Sequence, residues 1–395
     1  MLFTISPIID GIETLARGLW QAGNEKSGQF SLKNSKSTSQ DFTILVPTYN
    51  SLKTIEQILE NLEPYKGKVL VVDDASTDET PEAVRARGFS IVNNPTNGKK
   101  IGAIKLGLEE ITSEYTIVMD SDTRLAEGDP ARLVGLMYDK KMEAGAVRVL
   151  PEHRTHNWNI WKNILHGLQY IEYAKAMRIG RGSMNGSNPA VLCVSGAFGI
   201  FKTDLLRAVT AEQVKDGVHW EGEDLERTLR IIEKGGKVMY IDDFVVRTEV
   251  PEGLLGLTNQ RIKWQHGYLR NHWLFKFSFV KRTDKLGLTL LYNWAVNIGL
   301  HPLKLYFAPA LVERSISSLE YDAVFYGSYL AIEALASLRS LSRSEWKRYG
   351  MYLPAMPIYG LYQIAVPTTV GFGKAILEEL KEVVSHRRAN KQPQN

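Results

Sequence analysis

The stretch from residue 42 to residue 122 constrains this chain most, because short apolar runs alternate there with helical patterns and most of the runs end in polar or acidic residues. Phe42-Thr43-Ile44-Leu45-Val46 is an apolar run stopped by Pro47. Val69-Leu70-Val71-Val72 is ended by Asp73-Asp74, Phe89-Ser90-Ile91-Val92 follows, and Tyr115-Thr116-Ile117-Val118-Met119 is ended by Asp120. Between them, residues 51–63 have helical spacing at Ile55, Ile58, Leu59 and Leu62, Thr80 to Arg87 starts with Pro81 in a position that suits helix starts, and Ile101 to Glu110 continues the alternation. Continuous apolar strands alternating with helices predict a parallel sheet covered on both faces, an α/β fold. Ligands of such sheets bind beyond the carboxyl ends of the strands. Those ends here carry Thr48-Tyr49-Asn50, Asp73-Asp74 and Asp120-Ser121-Asp122.

The turn after the first strand, Pro47 to Ser51, contains no glycine, which argues against a dinucleotide oxidoreductase. Asp120 and Asp122 stand two residues apart at a strand end, where both can reach one hard cation. Magnesium or manganese suits such oxygen ligands and keeps substrate phosphates in its shell. With Asp73-Asp74 on a neighbouring strand end, a mere hydrogen-bonded turn is the weaker reading.

The motifs PTYN, VVDDASTDET, NGKKIGA, VMDSDT, SGAFGIFK, GED and QRIKW occur in that order between residues 47 and 264. On these, the chain resembles a family-2 glycosyltransferase with the GT-A nucleotide-diphospho-sugar transferase fold. More narrowly, it resembles the processive, membrane-bound synthases of hyaluronan, chitin and cellulose. The resemblance is strong over residues 42–275 and weaker beyond. It implies that Thr48 and Tyr49 line the base and ribose pocket and that Asp73 and Asp74 meet the nucleotide. Lys99 would lie against the nucleotide or diphosphate, Asp120 would hold nucleotide and metal, and Asp122 would hold the metal. Asp224, the last residue of GED, would be the catalytic base, with Glu221 a weaker alternative. Ser195 and Gly196 would meet the acceptor. In Gln260-Arg261-Ile262-Lys263-Trp264, Gln260 and Trp264 would bind acceptor, while Arg261 and Lys263 would reach the diphosphate. Two departures stand out. Ser51 occupies a place where relatives often have an acidic residue. Lys263 stands where they have arginine, keeping the charge and losing the bidentate fork.

Composition sets the remaining bounds. The chain has 395 residues, enough for two domains, and 44% of them are hydrophobic. A formal net charge of +4, from 48 basic and 44 acidic residues, is too mild to argue for nucleic acid as a partner. The single cysteine, Cys193, excludes an internal disulfide and reads as a small core residue. His153, His156 and His166 lack metal-ligand spacing and read as surface or supporting groups, and Trp158, Trp161, Tyr170 and Tyr173 read as helix packing.

The expected organisation is an N-terminal amphipathic helix and Ser-rich linker (1–40), a GT-A catalytic domain with a mostly parallel central sheet (41–275) and a C-terminal helical membrane-associated region (276–395). Leu286 to Leu303 carries no Asp, Glu, Lys or Arg, and Met351 to Gly373 has no charged residue and is long enough to span a bilayer. Prolines 302, 309, 354, 357 and 367 interrupt these stretches. Basic flanks at Lys276, Lys281, Arg282, Lys285, Lys381, Arg387, Arg388 and Lys391 point to a membrane location with the catalytic domain on the cytoplasmic side. The expected enzyme is an inverting β-glycosyltransferase using a UDP-sugar and Mg2+ or Mn2+ to extend a polysaccharide. The partners are the UDP-sugar donor, a carbohydrate acceptor and membrane lipid. So few apolar stretches make a sparse channel, which raises a homo-oligomer. Rivals are a transferase that adds one sugar to a lipid or glycan, an inactive sugar- or nucleotide-binding protein of the same fold, and a nucleotidyltransferase.

Overall fold

The computed structural model describes residues 30–280, apart from 36, 155–157, 186–188, 190 and 219–221, and residues 331–381, apart from 333, 364–365, 368, 372, 376 and 379–380. The expected N-terminal helix, the apolar stretch 286–303, His156 and Glu221 lie outside these residues.

Strands β1 (Phe42–Thr48), β2 (Val69–Asp73), β3 (Ser90–Asn93), β4 (Tyr115–Met119), β5 (Thr123–Glu127), β6 (Ala144–Pro151), β7 (Phe198–Lys202) and β8 (Val238–Thr248) form one eight-stranded sheet in the order β3-β2-β1-β4-β7-β6-β8-β5. The half made of β3, β2, β1 and β4 is parallel throughout, as the alternation of apolar runs and helices predicts. The other half is mixed: β7 runs antiparallel to both β4 and β6, β6 and β8 are parallel, and β5 is antiparallel to β8. The sheet is therefore mixed rather than parallel overall.

Pro47 does not stop β1 but lies inside it. The ladder to β4 covers only Phe42 to Leu45, so at Pro47 the strand has β2 alone as its neighbour and a missing N–H breaks no bond toward β4.

Helix α1 (Leu52–Leu62) buries Ile55, Ile58, Leu59 and Leu62 on one face, as their spacing requires. Each such side chain contributes about 1.5–3 kcal/mol of burial free energy. Helices α2 (Thr80–Ala86), α3 (Lys99–Glu110) and α4 (Pro130–Lys140) follow, the last started by Asp129, whose side chain accepts from the Ala131 N–H. Then come α5 (Ile160–Lys175), α6 (Thr203–Lys215), α7 (Glu223–Glu233) and the long α8 (Leu254–Val280).

The Ser-rich segment before β1 is not a free linker in its described part. Leu32 is buried, Ser31 Oγ and the Leu32 N–H donate to Asp243 at 2.6 and 3.0 Å, and Arg132 donates to the carbonyls of Leu32 and Ser35 at 2.7 and 3.1 Å. The segment crosses α4 at Gly135, where an added Cβ would lie 2.2 Å from the Ser37 carbonyl oxygen. Polar composition concealed this contact because the polar groups themselves make it.

Met351 to Gly373 does not form one span in its described part. Gly350–Ala355 is a 3-10 turn containing Pro354, and helix α10 (Met356–Gln363), which follows α9 (Arg343–Tyr349), starts afresh. Met356 and Tyr359 are buried against the catalytic domain. Among the described residues no helix is long and apolar enough to cross a membrane.

Candidate active site

The chain order reverses between β1 and β4: β2 and β3 extend to one side of β1, and β4 lies on the other. Such a switch point opens a crevice at the carboxyl ends of the two strands. Thr48 ends β1, and Asp120 follows β4.

On the β1–β2 side, Thr48 and Asp73 are register partners, both buried, and Thr48 Oγ1 and Asp73 Oδ1 have no hydrogen-bond partner among the described residues. Buried polar atoms of this kind call for a partner. Asp73 Oδ2 accepts from the Ser76 N–H at 3.1 Å. Asp74 Oδ1 accepts from Asn94 Nδ2 at 2.8 Å and from the Gly98 N–H at 2.9 Å, which ties the second motif to the start of α3. Tyr49 is half exposed, whereas Thr48 is buried. Ser51 Oγ and Ser121 Oγ lie 2.9 Å apart, so the departure from the acidic pattern links the first motif to the Asp-Ser-Asp turn.

On the β4 side, Asp120 and Asp122 bracket that turn. The Asp120 N–H donates to the Ala197 carbonyl at 3.0 Å, and Asp122 Oδ1 accepts from the hydroxyls of Thr123 and Thr248, each at 3.3 Å. Burial raises the pKa of both carboxyls. For Asp120 the neighbouring charges of Asp122 and Asp224 add to this, and for Asp122 that of Glu249 does; Lys100 opposes both shifts. A crowded set of carboxylates is the environment that a divalent cation relieves, and all its donors are oxygens. Among the described residues no three His, Cys, Asp or Glu groups are gathered as a complete metal cage. A cation on Asp120 and Asp122 would thus take its other ligands from donor phosphates and water.

The third wall comes from α7. Gly222 has φ +98°, and an added Cβ would lie 3.1 Å from the Gly267 Cα on α8. Its carbonyl accepts from Asn271 Nδ2 at 2.7 Å. Glycine is required there on both counts, conformation and space. This anchors the Gly-Glu-Asp motif to the helix that carries Gln-Arg-Ile-Lys-Trp. Asp224 Oδ2 accepts from the Gly196 N–H at 2.8 Å, and Oδ1 accepts from the Leu225 N–H at 2.7 Å. A Cβ on Gly196 would lie 2.9 Å from Lys100 Nζ and 3.5 Å from Asp224 Oδ2, so the small residue lets the two groups close on the loop. Ser195 sits on the same half-buried loop, its carbonyl accepting from the Phe198 N–H. The Cys193 thiol lies 3.8 Å from Asp224, and burial with the Asp224 charge pushes it up to about 12, so it is not a thiolate nucleophile.

The lysine at the centre is Lys100, not Lys99. Lys99 is exposed with φ +56°, whereas Lys100 Nζ pairs with Asp120, lies 3.9 Å from Glu223 and donates to the Gly196 carbonyl at 3.0 Å. Burial disfavours its charge, yet Asp120, Glu223 and Asp224 together hold its pKa above the ordinary lysine value. The helical phase carries the signal for this: Lys100, Ile104 and Leu108 share one face of α3, and the latter two are fully buried.

Gln260, Arg261, Lys263 and Trp264 lie on α8. Arg261 is buried, and its Nη2 and Nε donate to Glu172 at 2.8 and 3.2 Å. Its Nη1 donates to Gln260 Oε1 at 2.5 Å. The predicted diphosphate contact is therefore not the one Arg261 makes, because Glu172 holds its fork. Lys263 is exposed, as is Trp264, with 45% of its surface accessible. Tyr173 lies between this group and Asp122: burial raises its phenol to about 12, and the charges of Arg261, Glu172 and Asp122 all act on it.

The other aromatic and histidine readings divide. Tyr170 and Tyr173 pack in the core, but Trp158 and Trp161 are exposed and do not pack α5. His166 is buried, and His153 Nδ1 lies 2.8 Å from the Tyr349 hydroxyl, so neither is a surface group.

The edge thus gathers paired carboxylates, an adjacent lysine and a carboxylate held by a loop N–H at the switch point of the sheet. Residues 43–210 match the family model described as Glycosyl transferase family 2. It is 25% identical over 279 residues to a poly-beta-1,6-N-acetyl-D-glucosamine synthase of Staphylococcus epidermidis, across 66% of this chain and 62% of the relative. It is 28% identical over 240 residues to the enzyme of that name from Staphylococcus aureus strain COL, across 58% of this chain and 54% of the relative. The chain thus spans less than two thirds of the length of these relatives. In fold it is similar to the mannosyltransferase PcManGT from Pyrobaculum calidifontis, solved in complex with GDP-Man and Mn2+, with a TM-score of 0.54 and 19% identity over 92% of this chain and 99% of that one.

Proposed function

We propose that the protein is an inverting, divalent-metal-dependent glycosyltransferase that extends a β-linked polysaccharide from a UDP-sugar at a membrane surface. The observation that carries this reading is the convergence of Asp120, Lys100 and Asp224 on the Gly196 loop. Asp224 takes the proton of the acceptor hydroxyl, which is a poor nucleophile until it is deprotonated. The acceptor oxygen then bonds to the anomeric carbon as the bond to the diphosphate oxygen breaks, inverting that carbon. The diphosphate leaves toward Lys100, whose held charge suits a departing anion. Asp120 and Asp122 are the residues to hold Mg2+ or Mn2+, which supplies charge neutralisation at the diphosphate. Asp73, Asp74, Thr48 and Tyr49 form the nucleotide side, with Lys99 and Lys263 as outer cations. Ser195, Gly196, Gln260 and Trp264 form the acceptor side.

Membrane docking is supported by an exposed apolar face. Trp158, Ile160 and Met351 are each at least 66% exposed and together border a surface cavity of about 610 Å³. Indole rings at such a face suit the bilayer interface. A cytoplasmic orientation follows from the need for a nucleotide-sugar donor, and a homo-oligomer would complete an export path. The names of the staphylococcal relatives make UDP-N-acetylglucosamine the first donor to test.

The test is nucleotide release from a panel of UDP-sugars and GDP-mannose, with and without Mn2+ or Mg2+, using the full chain in detergent and sizing the product. UDP-sugar turnover that yields a long product and drops about 10²–10⁴-fold in Asp224→Asn is the expected result. A product with one added sugar would replace polymer synthesis with single-sugar transfer. Nucleotide binding without turnover for any donor would overturn the reading.

A further inference from the structure

Glu172 on α5 and Tyr359 on α10 belong to none of the motifs, yet both reach the Gln-Arg-Ile-Lys-Trp helix. We propose that Glu172 and Tyr359 are positioning residues that fix Arg261, and through it the Trp264 indole, as the platform for the acceptor sugar. This rests on the acceptor role proposed above for Trp264.

The geometry runs in one direction. The Tyr359 hydroxyl donates to Glu172 Oε2 at 2.6 Å. Glu172 accepts both arms of the Arg261 fork, and the guanidinium, only 5% exposed, is oriented as a plane rather than a point charge. That plane lies 4.2 Å from the Trp264 ring centroid and 5.7 Å from the Tyr173 ring. The Tyr173 and Trp264 centroids are 6.0 Å apart. The indole is therefore backed by the guanidinium and the phenol while 45% of Trp264 stays accessible. A pyranose stacks on an indole through its apolar face, and such stacking depends on ring orientation. The guanidinium behind the ring fixes that orientation, and three elements far apart in the chain converge to hold the guanidinium. The Tyr362 hydroxyl, 2.5 Å from Thr258 Oγ1, ties α10 to α8 a second time.

The experiment uses the full chain labelled with fluorotryptophan, with the Trp264 resonance assigned by its loss in Trp264→Phe. Glu172→Gln and Tyr359→Phe are expected to shift or broaden that resonance. They are also expected to raise the half-saturating concentration of an N-acetylglucosamine pentamer about fivefold, the effect of one net hydrogen bond, with the donor KM changed by less than about twofold. Glu172→Asp, which keeps the charge, should recover part of both effects. An unchanged Trp264 resonance in both variants overturns the proposal. A donor KM that rises in step with the acceptor value also overturns it, because it would return Arg261 to the diphosphate. If Glu172→Gln does not fold, Tyr359→Phe, which removes one hydroxyl, decides. The fluorine signal needs no turnover, so an inactive wild-type chain would sink the acceptor role, while the Trp264 resonance would still decide whether Glu172 and Tyr359 position the indole.

Discussion

The two halves of the sheet build their sides of the active edge by different means. In the β3-β2-β1-β4 half, the motifs sit at or just beyond strand ends, and β1, β2 and β3 pair with their neighbours in sequence. Thr48, Asp73 and Asp74 come together because parallel strands in register bring their ends together. In the β7-β6-β8-β5 half, the Gly196 loop, α7, α8 and the C-terminal helices arrive from positions up to 197 residues away in sequence from the groups they contact. Backbone ladders run through both halves, and what the second half adds is a few buried polar junctions between distant segments. Losing one charged junction should therefore loosen the segments attached to the second half, whereas losing one charged side chain at the edge of the first should leave its strands in place.

Glu345 is the sharpest place to test that difference. It accepts from Arg148 at 3.2 Å, from the Tyr170 hydroxyl at 2.5 Å and from the Ser342 N–H at 2.7 Å, closing a capping box at the start of α9. Burial works against its charge, but Arg148 and these donors hold its carboxyl below the ordinary glutamate value. Arg148 and Glu345 are each only 10% exposed, so Glu345→Gln removes a buried charge-assisted hydrogen bond while Arg148 keeps the Ser340 carbonyl and the Asp242 charge, a loss of about 2–3 kcal/mol. Chemical denaturation of the variant should show that loss, together with early proteolysis after residue 330. A loss under about 1 kcal/mol, the range of an exposed pair, would mean that the C-terminal segment is not a structural part of the domain.

The same contrast governs what could be read from the sequence. The parallel half was legible because continuous apolar runs and helical spacing are local patterns, and Asp120, Asp122 and Asp224 stand in motifs with fixed order. Lys100 was one residue away from the reading, and only the phase of α3 separates it from Lys99. The Glu172 contact of Arg261 was not legible because Glu172 lies 89 residues earlier on a helix whose pattern says nothing of ion pairing. The segment 31–39 looked like a linker because its serines are polar; they bond to Asp243 and Asp139 instead of water. Met351 to Gly373 reads as a span because hydropathy does not register the break at Pro354, where a 3-10 turn precedes α10.

A smaller effect belongs to the parallel half. Lys100→Gln removes the charge between Asp120 and Glu223 but leaves the strands untouched. Stability should hardly change, while the donor KM should rise about tenfold, as expected from the loss of one charge-assisted hydrogen bond. Urea unfolding read beside donor titration checks both parts. A variant that loses stability and keeps its donor KM would make Lys100 a structural strut and erase the distinction between the halves.

The smallest effect is a pH dependence confined to the junction. His153 stacks on Tyr170 and Tyr349, with ring centroids 5.5 and 5.9 Å apart. Burial lowers its pKa below the ordinary value, Arg247 and Arg348 lower it further, and Glu152 and Glu345 oppose them. A histidine depressed in the fold binds its proton more readily when unfolded. Its stabilising contribution is therefore complete above the unfolded value of about 6.5 and is lost as pH falls through the lower folded value. Protection of the C-terminal segment from proteolysis should weaken as pH falls below about 6.5, and His153→Phe, which keeps a ring in the stack, should flatten that slope. The donor-side motifs contain no histidine, so nucleotide binding should not follow the same curve. If it does, protonation at the junction reaches the β1–β4 edge, and the two halves titrate as one unit.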